Sequence, residues 1–162
     1  MKLHAFVAMP FGIKTGPDGK PIDFNGVYEE YIKPALEAAG LEVFRADEEQ
    51  AAGDIKTDMF QELLIADLVV ADLTLDNPNV WYELGVRHAL RSRGTVLVQG
   101  QRATQPFDIY TDRKLNYSLQ NGLPDSVTLK KDQAALTKMV KATLESWHDR
   151  KISPVYQLLP YL

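Results

Sequence analysis

The stretch "IADLVVADLTLDNPNVWYELGVRHAL", residues 65–90, joins two kinds of pattern across a polar break. Its first part, "DLVVADL" (67–73), is an apolar run of strand length without polar alternation, as in a strand buried on both faces. The second part repeats apolar residues at helical period, and Asn77 followed by Pro78 makes a helix start. An Asn side chain accepts from orphan backbone N–H groups, and the N–H that proline lacks costs little at the first helical position. A strand that runs straight into a helix is half of a β-α-β unit.

Working outward, the same rhythm continues on both sides. "HAFVAMP" (4–10) reads as the first strand, and "FGIKTGPDGKPID" (11–23) as a Gly/Pro-rich loop with no core pattern. A helix is predicted over about 25–39, with Val27, Tyr31, Leu36 and Ala39 inward, Gly40 as its stop and a kink at Pro34. "LEVFRAD" (41–47) is the second strand, and a helix over about 55–66 carries Ile55, Met59 and Leu63 on one face. Downstream, "TVLVQGQ" (95–101) is the fourth strand, "KLNYSL" a short fifth, and "DQAALTKMVKATLESWHDR" (132–150) an amphipathic helix. The expected fold is therefore α/β: one domain over residues 1–150 with a parallel sheet of four to five strands and helices on both faces. The apolar tail at 151–162 is expected to pack back on the domain, to form a dimer contact or to lead into a further module.

Composition removes several function classes. With 162 residues, 45% of them hydrophobic, the chain can bury a core of its own. A formal net charge of -4 and the lack of any Lys/Arg run argue against a nucleic-acid partner, while a local anion pocket is compatible with both. The absence of cysteine excludes disulfides, thiolate nucleophiles and Cys-ligated metals. His4, His88 and His148 are scattered without metal-ligand spacing, so no metal is expected. The N-terminal apolar run is too short for a signal peptide, and nothing approaches the roughly 20 apolar residues of a membrane span. The expectation is a cytoplasmic protein with no membrane partner.

Ligands of parallel sheets bind beyond the carboxyl ends of the strands. Those ends are here Met9-Pro10-Phe11-Gly12, Arg45-Ala46-Asp47 and Ala71-Asp72-Leu73-Thr74. Glu83 falls in the second turn of the helix that follows, on one face with Asn79 and Arg87. It is either a surface ion pair with Arg87 or an acid facing a ligand.

Taken with "FVAMPFG" and "VFRADE", the opening stretch resembles the superfamily of nucleoside 2-deoxyribosyltransferases and TIR-like domains. It is nearest the bacterial TIR-like branch that reads ADLT, NPNV, YELG and HAL. The resemblance spans roughly residues 3–117 and implies a flavodoxin-like or TIR-like fold. It also implies that Glu83 attacks, or stabilises positive charge at, the anomeric carbon of an N-glycosidic bond. A fixed anion suits that chemistry, because the bond breaks through an oxocarbenium-like state and needs neither metal nor thiol. By the same resemblance Asp72 would bond sugar hydroxyls, where the alternative is a loop cap. Asn77 stands where the transferases carry a sugar-holding aspartate.

The loop of Met9, Phe11 and Gly12 matches the one that approaches the nucleobase, with Phe11 as a stacking face or as a core side chain. Arg45 and Asp47 would bind a phosphate and a ribose hydroxyl, or pair with each other. Of Trp81 and Tyr82, at most one lines the site. Asn79 and Tyr82 complete the substrate-binding set, and Asp108 and Tyr117 are candidates to close the pocket.

Two classes of function follow. One is an N-glycosidase, acting by hydrolysis on a nucleotide or NAD-like substrate or by transfer as a nucleoside deoxyribosyltransferase. The other is a nucleotide-sensing or protein-interaction domain without turnover. NAD enters only as a substrate, with no cofactor, and a homo-oligomer or a fused partner module is expected.

Overall fold

The computed structural model describes residues 2–46, 55–102, 104, 113–145 and 153–162, with the side chains of 55–58 left aside. Asp47, Asp108, His148 and the side chain of Ile55 lie outside that set. Five parallel strands form the sheet: β1 (His4–Ala8), β4 (Glu42–Arg45), β5 (Leu68–Asp72), β6 (Thr95–Gly100) and β7 (Lys114–Tyr117). Their spatial order is β4-β1-β5-β6-β7, the doubly wound order whose direction reverses between β1 and β5. The α/β sheet with helices on both faces is as the sequence predicts, at the upper end of the predicted strand number.

Alternate residues on each strand face opposite layers. Ala5, Val7, Leu68, Val70, Val96 and Val98 enter one core cluster, under α1 (Phe24–Val27), α2 (Lys33–Ala38) and α5 (Leu129–Glu145). Phe6, Ala8, Val69, Ala71 and Leu97 enter the other, with Leu63 of α3 (Ile55–Ile65) and Val80 and Leu84 of α4 (Pro78–Leu90). At roughly 1.5–3 kcal/mol per fully buried large apolar side chain, these two layers hold the fold together.

Two departures from expectation have local causes. Residues 11–23 are no plain loop: β2 (Ile13–Thr15) and β3 (Pro21–Asp23) pair antiparallel. The hairpin lies outside the main sheet, and of its side chains only Ile22 is buried, too little for an apolar period to register. At Pro34 the helix does not simply kink. A π-helical turn, Tyr28–Ile32, precedes it, and the Lys33 N–H donates to Tyr28 O, five residues back. Pro34 has no N–H for the carbonyl of Glu30, and Gln133 Nε2 of α5 donates to that oxygen instead, at 2.6 Å.

The long last helix starts three residues earlier than predicted, at Leu129, since the Asp125 carbonyl accepts from both Thr128 N and Leu129 N. A second hairpin, β8 (Leu119–Gln120) with β9 (Leu123–Pro124), turns on Asn121 and Gly122 at φ 53 and 79. Chain-terminal residues form α6 (Pro154–Leu158), which docks on α4 through Ser153 Oγ donating to His88 O and Tyr156 OH donating to Ala89 O.

Candidate functional site at the carboxyl edge of the sheet

Doubly wound sheets bind ligands where the strand order reverses, and that position, between β1 and β5, is flanked here by the loop after β1 and the loop that leads into α4. Asn77 caps α4 as predicted, its Oδ1 accepting from Asn79 N at 3.0 Å and Val80 N at 3.2 Å. That leaves only the Nδ2 group of Asn77 for a ligand. Pro78 follows at the first helical position. Asn79 is exposed in the first turn.

Glu83 lies on the inward face of α4, with Val80, Leu84, Arg87 and His88, and is only 9% exposed. Side chains of a helix lean toward its N-terminus, which here is the carboxyl edge of the sheet. Among the described residues Glu83 has no hydrogen bond or ion pair. Burial alone pushes its carboxyl up to about 7.

The ion pair with Arg87 does not form. Arg87 is 0% exposed and donates to four carbonyls: Leu63 O at 2.8 Å, Ala66 O at 3.0 Å, Gly94 O at 3.0 Å and Arg93 O at 3.3 Å. It joins the end of α3 to the turn before β6, satisfying carbonyls that a helix terminus leaves open. Burial, with Arg91 nearby, lowers its guanidinium to about 10, against the pull of Asp67.

Asp72 is 0% exposed, and its carboxylate is taken up by protein. Oδ1 accepts from Thr74 N at 2.9 Å and Thr74 Oγ1 at 2.6 Å, while Oδ2 accepts from Tyr117 OH at 2.7 Å. Thr74 Oγ1 in turn accepts from Gly100 N at 2.8 Å, so one carboxylate ties together the ends of β5, β6 and β7. Burial pushes Asp72 up, and the bonds from Thr74 and Tyr117 pull it back. Burial also raises Tyr117, with Asp72 adding to it, so the phenol keeps its proton.

By strand parity Asp72 faces the α1/α2/α5 layer, whereas Glu83 faces the sheet from the α3/α4 layer. Of the two readings, the loop cap is the one its bonds support. As built, Asp72 offers no surface to a sugar hydroxyl.

The loop after β1 gives a further pair. The Arg45 guanidinium, at the end of β4, lies between the rings of Phe11 at 5.0 Å and Tyr28 at 4.5 Å. Arg45 is 6% exposed and Phe11 is 37% exposed, so the ring keeps one face toward solvent. Gly12 has φ 66, and open space surrounds a Cβ placed there. Its N–H donates to Asn25 Oδ1 at 3.1 Å. Met9 is 3% exposed and belongs to the core. Tyr82 is 59% exposed on the outer surface of α4, its ring edge-on to Phe60 of α3. Trp81 packs half-buried on the α3/α4 core instead.

Residues to which the sequence reading gave no role also shape this edge. Thr74 and Tyr28 are two of them; a strand-end Asp-x-Thr is the local signal for the first, and Tyr28 carries none. Arg102 is the third, binding the loop into α4 through Leu73 O and Asp76. Among the described residues no group of three or more His, Asp or Glu side chains is arranged to hold a metal ion, and no helix is long and apolar enough to cross a membrane. No known family model matches the chain, and no curated protein matches it.

Proposed function

We propose that this chain breaks an N-glycosidic bond of a nucleotide or NAD-like substrate, with Glu83 as the nucleophile or the anion that stabilises C1′. The observation that carries the reading is a carboxyl group with no partner among the described residues, buried on the inward face of α4. Burying such a group costs free energy that folding does not recover, and a ligand with developing positive charge recovers it. The C1′–N bond breaks with its electron pair leaving on the base, and the ionised Glu83 takes or shields C1′. Water then supplies the hydroxyl group, and a proton is released.

A second reading has its own observation. Asp72 and the Asn77 oxygen, two of the polar groups assigned to the sugar, are spent within the protein. That favours a nucleotide-sensing or protein-interaction domain without turnover. In either reading the chain is taken as cytoplasmic, and the exposed Leu158, Leu159, Tyr161 and Leu162 are its contact with a second copy or a fused module.

Incubation with a panel of nucleosides, nucleotides and NAD, followed by chromatography for released base, separates these readings. The glycosidase reading expects release by the parent chain and none by Glu83→Gln. Equal release by both, or by neither, overturns it. A ribosyl substrate is expected to outrun its 2′-deoxy analogue, because the Asn77 Nδ2 group can donate to a 2′-hydroxyl and is left unpaired without one. Faster cleavage of deoxynucleosides, with base exchange above hydrolysis, would favour a deoxyribosyltransferase.

A further inference from the structure

We propose that Arg102 and Asp76 form an anion site at the carboxyl edge of the sheet, in which the Asp76 carboxylate holds the place of a ligand phosphate. The proposal deepens the reading of Glu83, on which it rests for the remainder of the ligand, and it gives the phosphate of that substrate a place.

Arg102 comes just after β6 and its side chain is 7% exposed. Its Nη1 donates to Leu73 O at 3.0 Å, its Nε donates to Thr104 O, and its plane lies over the Trp81 ring at 5.8 Å. Protein therefore holds the guanidinium from several sides. Its Nη2 donates to Asp76 Oδ1 at 2.6 Å, and Asp76 is 71% exposed. A fixed cation is thus covered by one oxygen of an exposed carboxylate.

The geometry suits exchange. The Nη2 group of Arg102 carries two N–H donors and bonds only one carboxylate oxygen, and a phosphate offers more oxygens and more charge than a carboxylate held through one. Asp76 itself is exposed and holds through one oxygen, so a stronger anion displaces it while the backbone bonds keep Arg102 in place. Asp76 adjoins Asn77, the cap of the 13-residue α4, whose positive end lies beside the same position. Trp81 packs on the α3/α4 core and Glu83 is buried on the same helix, so the anion site and the unpartnered carboxyl belong to one layer, on different faces of α4. Asp76 in turn prevents Arg102 from binding small anions loosely when no ligand is present. No covalent bond changes in this exchange.

Calorimetric titration of the whole chain tests it, with inorganic phosphate at constant ionic strength, chloride as the control, and AMP against adenosine. Asp76→Asn removes the competing charge and leaves Arg102 in place; it is expected to bind phosphate roughly three- to tenfold more tightly. Arg102→Gln is expected to lose roughly tenfold or more in phosphate affinity and to lose the preference for AMP over adenosine. Should Arg102→Gln fail to fold, the gain in Asp76→Asn decides alone. Phosphate binding by Asp76→Asn no tighter than by the parent overturns the proposal, as does binding by folded Arg102→Gln equal to the parent's, or a phosphate effect no greater than chloride in all proteins. These are equilibrium measurements without turnover. A panel that releases no base would therefore remove the glycosidase reading and leave this result standing.

Discussion

Glu83 is a carboxyl group in apolar surroundings, and its proton sets how this protein answers to pH. Its folded value of about 7 lies above the ordinary glutamate range. Between those limits the folded chain binds more protons than the unfolded one, so this group makes stability fall as pH rises through about 4.5 to 7. The full loss, reached above pH 7, amounts to about 3 kcal/mol. Glu83→Gln, which keeps shape without charge, is expected to melt higher than the parent at about pH 8 and nearly equal to it at about pH 5. A lower melting temperature at the higher pH would show a structural acid with a partner instead. Catalysis has the opposite sign: kcat/KM for base release should rise with pH through about 7, as the carboxyl ionises. Arg87 behaves differently, because four carbonyls surround it. Arg87→Met is expected to lose about 3–5 kcal/mol in a denaturant titration, since those buried acceptors lose their donors. A loss below about 1 kcal/mol would mean that water replaces it. In the sequence the i, i+4 spacing of Glu83 to Arg87 pointed to an ion pair, and only the family resemblance pointed to a site acid. Spacing on one helix cannot reveal that a neighbouring helix end will claim the arginine.

At the scale of elements, the π-helical turn and Pro34 form a unit with α5. Gln133 supplies to Glu30 O the bond that proline cannot. In a double-mutant cycle of Gln133→Ala and Pro34→Ala, the loss from Gln133→Ala is expected to shrink by about 0.5–1 kcal/mol in the Pro34→Ala background, where a backbone N–H is restored. Additive losses would show that Glu30 O is satisfied by water. Most elements were legible because β1, β5 and β6 are apolar on both faces and the helices between them repeat at their own period. The β2–β3 hairpin was not, since a short outlying strand pair with one buried side chain leaves no periodic trace. The site was legible as far as its strand ends. What stayed hidden was facing: Asp72 and Glu83 come from adjacent elements at one edge, yet the parity of β5 turns Asp72 toward the other layer.

For the molecule as a whole, stability is concentrated where the sheet is covered from both sides. Native-state hydrogen exchange is expected to be slowest at the amides of β1, β5 and β6, whose residues are nearly all buried, and fastest in the two outlying hairpins. Uniform protection across hairpins and sheet would contradict this two-layer account. The parallel order also governs how the chain comes into being. No strand of the main sheet pairs with its chain neighbour through a tight turn: Ala5 must find Leu68, and Val70 must find Val96. During synthesis, "HAFVA" therefore leaves the ribosome long before the central partner that will cover one of its edges. Until the chain has been made through Asp72, one edge of this apolar strand stays open to any other chain in reach. Folding speed and the risk of aggregation thus depend on how quickly the ribosome delivers β5.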